Sequence, residues 1–408
     1  MPDERTERRR GFDLAARLRT RERRGLRRDL RPVESVEPRT RAAPDPGGDA
    51  PAFDVEGSDD LRVFAANDYL GLAGDDRLAD AAADAAADVG VGAGTSRLVS
   101  GDTVAHRRLE RALADAKGAE RALAFSSGYA ANVGTIAALD PDVVFSDELN
   151  HASIVDGCRL SDADVEIYDH CDGDALRTAM ARRARDSATD ESWLVVTDSV
   201  FSMDGDVAPL DDVCAAAERH GAWVMVDEAH ATGVYPGGVV GERGLEDRVQ
   251  VQLGTLSKAL GTQGGFVAGS ETLVEHLVNA ARSFVFSTGL APPAAAAARE
   301  GLRIARETGR RDRLHRNAAA LRDGLTERGF EVLGETHVLP VLVGDRADAV
   351  ALADALRSRG VLAPAIRPPT VPADACRIRV APTATHDEAA LDACLDAFES
   401  AGKEVGLP

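Results

Sequence analysis

Lys258 lies in the run T-L-S-K-A-L-G-T-Q-G-G, residues 255–265, directly after the expected strand Val249–Leu253. Small hydroxyl and glycine neighbours let a lysine amine approach a carbonyl, and burial shifts such an amine toward its nucleophilic free form. The chain places almost all of its positive charge on arginine and has three lysines, Lys117, Lys258 and Lys403. Lys117 and Lys403 sit in polar, helix-forming contexts without flanking glycines and are expected to be solvated surface charges. Lys258 needs another reason, and carbonyl chemistry supplies one. Upstream, V-M-V-D-E-A-H, residues 224–230, sets Asp227 at the C-terminal end of an apolar strand, the edge at which open α/β sheets bind ligands. An aspartate there can simply cap the next helix, or it can hold a pyridinium nitrogen protonated so that the ring withdraws electrons from a carbanion. A carboxylate and a lysine on successive strands, in that order, together point to pyridoxal 5'-phosphate held as a Schiff base on Lys258.

Other segments fit the same cofactor. Ser126, Ser127, Gly128 and Tyr129 lie between a strand and a helix, where backbone amides and hydroxyls can cradle a phosphate, although strand–glycine–helix turns are common. Thr255 and Ser257 can add hydroxyls to that phosphate. His151, after the strand Val143–Phe145, either stacks on the ring or is an ordinary histidine at a helix N-terminus.

The elements that must position these residues read as a parallel sheet covered by helices, because short aliphatic runs alternate with Ala-rich segments of helical length. Strands are expected at Ala122–Phe125, Val143–Phe145, Val165–Tyr168, Trp193–Thr197, Trp223–Val226, Val249–Leu253 and Phe266–Ala268. Their near-continuous apolar character fits a sheet buried on both faces. Pro292 and Pro293 open one long Ala/Arg helix to about Arg328; strands follow at Val338–Val343, Val361–Ile366 and Arg377–Val380, with helices at Asp348–Arg359 and Asp387–Ser400. The expected organisation is an N-terminal helical arm and loop over residues 1–60, a large cofactor-binding domain over 61–290, and a linking helix with a smaller C-terminal α/β domain over 291–408. Residues 1–41 hold fourteen arginines among eight acids, read as a solvated amphipathic helix, and Pro44 to Gly57 reads as a loop.

Composition narrows the class. A hydrophobic fraction of 44% with 28% charged residues describes a folded soluble protein rather than a disordered chain. A net charge of −20 argues against nucleic acid as a partner. The excess of acids over a lysine-poor surface motivates the hypothesis of adaptation to high salt; unfolding midpoints that fall with added KCl would count against it. Five scattered cysteines form no C-x-x-C pair, so neither disulfides nor a metal site is expected. No apolar run reaches the ~20 residues of a membrane span, and a cytoplasmic location is expected.

The ordered blocks N-D-Y-L-G-L (67–72), S-G-Y-A-A-N (127–132), H-A-S (151–153), V-F-S-M-D-G-D (200–206), D-E-A-H-A-T-G (227–233) and T-L-S-K-A-L-G (255–261) resemble the α-oxoamine synthases. These are fold-type I pyridoxal-phosphate transferases that condense an amino acid with an acyl-CoA, and the similarity runs from about Asn67 to the C-terminus. The resemblance implies that Lys258 binds the cofactor and serves as general base, Asp227 pairs with the ring nitrogen, His151 stacks, and Ser202 and His230 lie near the ring hydroxyl. It implies Thr255 at the phosphate and Thr288, in F-S-T-G, at the phosphate of a neighbouring subunit, hence a homodimer with shared active sites. Arg379, in R-I-R-V, would pair with the amino-acid carboxylate, a task suited to a guanidinium fork, with Asn67 lining the same pocket.

Within the family, A-I-R-P-P-T-V-P (365–372) resembles members that join L-alanine to a pimeloyl thioester. Ser96, in G-A-G-T-S-R (92–97), stands where glycine-using members tend to carry threonine, leaving room for alanine's methyl, a difference of ~1–3 kcal/mol. Arg27 resembles an N-terminal arginine near the acyl substrate. Ala231 departs from the family's glycine. Open alternatives are a glycine C-acetyltransferase and, more remotely, a fold-type I aminotransferase.

Overall fold

The computed structural model describes residues 11–27, 30–43, 59–186 and 190–408. The expected loop from Pro44 to Gly57 lies outside the described residues. Residues 60–408, with 35–40, form one compact unit.

Seven strands build its main sheet: β1 (Arg121–Phe125), β2 (Val143–Asp147), β3 (Asp164–Tyr168), β4 (Trp193–Asp198), β5 (Trp223–Asp227), β6 (Val251–Thr255) and β7 (Gly265–Gly269). They lie in the order β1-β7-β6-β5-β4-β2-β3. All neighbours are parallel except β7, which runs antiparallel to both β1 and β6. Side chains alternate between two cores: Val195, Val224 and Val226 enter one, while Leu194, Val196 and Met225 enter the other. That alternation follows from the two-residue period of a strand, and burial on both faces explains why the central strands read as largely apolar runs, while the edge strand β3 is mostly exposed. β5 and β6 are adjacent and parallel, so Asp227 and the turn carrying Lys258 emerge at the same edge.

A second, antiparallel sheet of β8 (Leu339–Gly344), β9 (Ala365–Ile366) and β10 (Cys376–Val380) has the order β8-β10-β9. Its core includes Leu339, Val341, Ile378 and Val380 with Leu321, Leu325, Leu395 and Phe398. Two sequence expectations need correction here. The expected strand Val361–Ile366 is two pieces: Val361–Leu362 pairs in parallel with the strand Asp59–Val63, whereas Ala365–Ile366 joins β10. Pro364, which has no N–H to give a ladder, separates them. The single long helix from Pro292 is likewise two, Pro292–Glu307 and Arg310–Glu327, broken where Thr308 takes an extended conformation (φ −114°, ψ 158°).

The arginine-rich N-terminal region contains α1 (Leu14–Arg23), capped by Asp13 Oδ1, which accepts from the Ala16 N–H at 2.8 Å. None of its ten residues is buried, in keeping with a solvated helix. Among the described residues no helix is long and apolar enough to cross a membrane.

Candidate active site

The C-terminal ends of β4, β5 and β6 open into a cavity of about 260 Å³ whose lining includes Ser127, Gly128, His151, Asp227, Thr255 and Lys258. Tyr129, Ser202 and His230 line it as well, so this one space gathers most of the residues named from sequence.

Asp227 ends β5 and is buried. Its Oδ1 accepts from the Ala229 N–H at 2.8 Å and its Oδ2 from Asn132 Nδ2 at 2.7 Å. The second hydrogen of that amide goes to Ser153 Oγ at 2.9 Å, and Ser153 Oγ sits 2.6 Å from His151 Nδ1. Since His151 Nδ1 also accepts from the Ser153 N–H, it is the unprotonated nitrogen, and the serine hydroxyl donates to it. His151 is therefore both the N-cap of the helix α2 (Ala152–Leu160) and a member of the cavity wall. Burial holds it below its ordinary pKa, with Asp227 pulling upward and Lys258 pushing down. The His151 N–H is anchored by Asp198 Oδ2 at 2.9 Å, and Asp198 pairs in register with Asp227 across β4 and β5. Burial, then the neighbouring Asp227, drives the Asp198 carboxyl well above its usual range.

Lys258 follows β6, and burial lowers its pKa against the opposing pull of Asp227 and Asp198. A free amine is thus more accessible than on a surface lysine. The helix α3 (Gly128–Leu139) brings its N-terminus to the cavity wall, with Ser127 as N-cap accepting from the Ala130 N–H at 3.0 Å. Thr255 Oγ1 lies 2.8 Å from Ser257 Oγ and donates to the Gly264 carbonyl at 3.0 Å. A Cβ at Gly265 would sit 2.5 Å from the Gly128 amide nitrogen, so only glycine allows this close approach of β7 to the helix start. Unshared N–H groups, two hydroxyls and a helix dipole make an anion cradle. A carboxylate for a pyridinium nitrogen, a lysine amine, and a phosphate cradle in one cavity fit pyridoxal 5'-phosphate.

Beside the cavity, Arg379 of β10 is buried. Its Nε donates to the Ser202 carbonyl at 2.6 Å, and its Nη2 to Asn67 Oδ1 at 3.0 Å and to the Tyr69 hydroxyl at 3.1 Å. Tyr69 Oη also lies 2.6 Å from His230 Nδ1. Burial, then the positive charges of Lys258 and Arg379, holds His230 well below its ordinary pKa, so the imidazole is neutral. The Ser202 segment is secured from behind by His170, whose Nδ1 meets Asp147 at 2.9 Å and whose Nε2 meets Asp206 at 3.3 Å. Burial opposes charge there, but the two carboxylates push His170 up to about 12.

Ser96 and Thr288, also named from sequence, are not part of the cavity lining. They form a β-bridge with one another, and the Ser96 hydroxyl donates to the Val285 carbonyl at 2.9 Å. Arg27, beyond α1, lies 3.5 Å from Glu22. Lys117 corrects an expectation: it is 3% exposed, pairing with Glu228 and donating to the Gly237 carbonyl at 3.1 Å. Its partner is far away in sequence, which is why local context misread it. Lys403 is exposed and pairs with Glu399, as expected. Asn132, Ser153, Asp198 and Tyr69 went unassigned from sequence. Asn132 had a signal, since it stands four residues after Gly128 on the same helix face.

The sheet, the smaller antiparallel unit and the lysine–aspartate cavity define a fold-type I pyridoxal-phosphate transferase, and the chain belongs to the aminotransferase class I and II family, which matches residues 59–398. A serine palmitoyltransferase from S. paucimobilis, solved with bound PLP, superposes with a TM-score of 0.86 at 32% identity, covering 96% of this chain and 97% of that one. Within the class the chain falls among the 8-amino-7-oxononanoate synthases. It is 48% identical over 393 residues to one from Anaeromyxobacter dehalogenans, with 94% of each covered. It is 44% identical over 352 residues to one from Lysinibacillus sphaericus, covering 85% of this chain and 90% of that relative.

Proposed function

We propose that this protein condenses L-alanine with a pimeloyl thioester, releasing the thiol and carbon dioxide to form 8-amino-7-oxononanoate for biotin biosynthesis. The observation that carries the reading is the cavity holding Lys258, Asp227 and the Ser127–Gly128–Thr255 cradle together, in a chain 48% identical to a synthase of that name.

Pyridoxal 5'-phosphate, when bound, supplies an electron sink for negative charge at the α-carbon of the amino acid. The phosphate is held by the start of α3 with Ser127, Gly128, Thr255 and Ser257. Asp227, oriented by Asn132, keeps a proton at the ring nitrogen. Lys258 Nζ, lowered by burial, anchors the cofactor and then takes the α-proton of alanine. Arg379 would bind the alanine carboxylate and so orient the amino acid for proton removal, with Asn67 beside it. His151, whose Nδ1 is engaged by Ser153, would stack on the ring and could offer the proton on its Nε2 to the acyl carbonyl. Ser202 and His230 face the ring hydroxyl.

The working form in this reading is a cytoplasmic homodimer, to which Thr288 contributes the partner's phosphate contact and Ser96 the alanine-methyl side of the pocket, with Arg27 near the acyl chain. Support comes from exposed apolar side chains around the Ser96–Thr288 bridge: Leu98 at 52%, Val99 at 77% and Phe286 at 73%. The test is a crossed assay of thiol release with alanine or glycine against pimeloyl-CoA or acetyl-CoA. Turnover confined to alanine with pimeloyl-CoA is expected. Preference for glycine with acetyl-CoA would instead make the protein a glycine C-acetyltransferase, and no thiol release from any pair, with amino-group transfer from alanine to a 2-oxo acid, would make it an aminotransferase.

A further inference from the structure

Tyr69 is fully buried, and its hydroxyl meets three site groups at once: His230 Nδ1 at 2.6 Å, Asn67 Oδ1 at 3.0 Å and Arg379 Nη2 at 3.1 Å. A phenol has one hydrogen to give, and a guanidinium can only donate. Tyr69 Oη therefore accepts from Arg379, and its hydrogen goes either to Asn67 or to His230. Asn67 Oδ1 could accept it beside Arg379 Nη2, but the phenol oxygen stands farther from Asn67, at 3.0 Å, than from His230. The 2.6 Å separation from His230 is short for an N–H donor, whose usual distance is about 2.9–3.0 Å, and fits an O–H donor. The ring is fixed from behind by His337, packed edge-on with centroids 4.2 Å apart and an interplanar angle of 75°.

We infer that Tyr69 is a positioning residue that donates to Nδ1 of His230, confining the imidazole proton to Nε2, and thereby couples His230 to the carboxylate-binding Arg379. His230 then serves the cavity as a hydrogen-bond donor in one tautomer. A carboxylate arriving at Arg379 draws on the guanidinium that Tyr69 also touches, so amino-acid binding is felt at His230. The coupling rests on the reading of Arg379 as the carboxylate site; the tautomer does not.

The experiment uses holoenzyme labelled with ¹⁵N-histidine, with His230→Gln assigning the resonance, and compares wild type with Tyr69→Phe. Wild type is expected to show an unprotonated Nδ1 and protonated Nε2 at His230. In Tyr69→Phe, which keeps the ring and its packing on His337, the tautomers should mix. Addition of L-alanine should shift the His230 signal in wild type and not in Tyr69→Phe, and the variant's KM for alanine should rise about tenfold, the size of one lost hydrogen bond to a charged group. A protonated Nδ1 in wild type, or an unchanged tautomer in Tyr69→Phe, overturns the inference. If the tautomer behaves as stated while alanine shifts nothing and glycine does, the inferred tautomer role stands and the alanine reading fails.

Discussion

Asn132 Nδ2 donates to Oδ2 of Asp227 at 2.7 Å while its other hydrogen reaches Ser153, so one amide aligns the Asp227 carboxylate and, through Ser153, the His151 imidazole. Asn132→Leu keeps the approximate volume and removes both donations. A hydrogen bond to a charged group contributes about 1.5–3 kcal/mol, or roughly 10- to 150-fold in an equilibrium. The variant should release pyridoxal phosphate on dialysis by about that factor more readily, read from visible absorbance, with a smaller change in the unfolding midpoint of the cofactor-free protein. Retention equal to wild type would remove Asn132 from this role.

Lys117 and Glu228 form a buried pair directly behind Asp227, with exposures of 3% and 0%, and Glu228 Oε1 also accepts from the Val240 N–H at 2.9 Å. Breaking a buried pair from one side leaves an uncompensated charge and costs about 3–5 kcal/mol. Lys117→Met should lower the urea-unfolding free energy by that amount, and Lys117→Met with Glu228→Gln should recover most of it. Additive losses in the double variant would show that the two side chains do not act as a pair.

These pairings mark where the sequence was readable and where it was not. The seven main strands, Asp227 at a strand end and Lys258 in its glycine-rich turn were legible because each depends on local pattern: apolar period, chain order and small flanking residues. Lys117 was misread because its partner Glu228, just beyond the end of β5, is 111 residues away in sequence. Tyr69 and Asp198 carried no local mark either, since their roles arise from contacts with His230 and His151 that only the tertiary arrangement makes. Pro364 was visible, yet its effect in handing a strand from one sheet to another required knowing both sheets.

Gly265 faces the start of α3 so closely that a Cβ would lie 2.5 Å from the Gly128 amide nitrogen and 2.6 Å from its Cα. Both contacts are backbone, which cannot swing aside. Gly265→Ala should push the helix start away from Thr255, lowering affinity for pyridoxal phosphate at least tenfold, by the loss of one or more charge-assisted hydrogen bonds. Fluorescence titration of the cofactor-free variant measures this. Inorganic phosphate should protect wild type against thermal unfolding more than it protects the variant; equal protection would argue that the cradle does not bind the phosphate.

His337 is fully buried with neither ring nitrogen partnered among the described residues, and burial lowers its pKa from 6.5 to about 3; His386, also buried, falls to about 4. Both are neutral in the folded state and become protonated first in the unfolded chain. Their contribution to stability is therefore complete above about pH 6.5 and is lost as pH falls toward 3 and 4, each adding a slope of up to about 1.4 kcal/mol per pH unit. His337→Leu removes one of these groups. Urea unfolding at pH 7, 6 and 5 should show a shallower acid decline in the variant, by up to one proton's worth of slope. At pH 7 the variant should be within about 1 kcal/mol of wild type or more stable, because two buried unpartnered nitrogens are replaced by a side chain with no polar atoms. Parallel pH profiles would mean that His337 is protonated alike in both states, which its complete burial beside Tyr69 and Arg379 argues against.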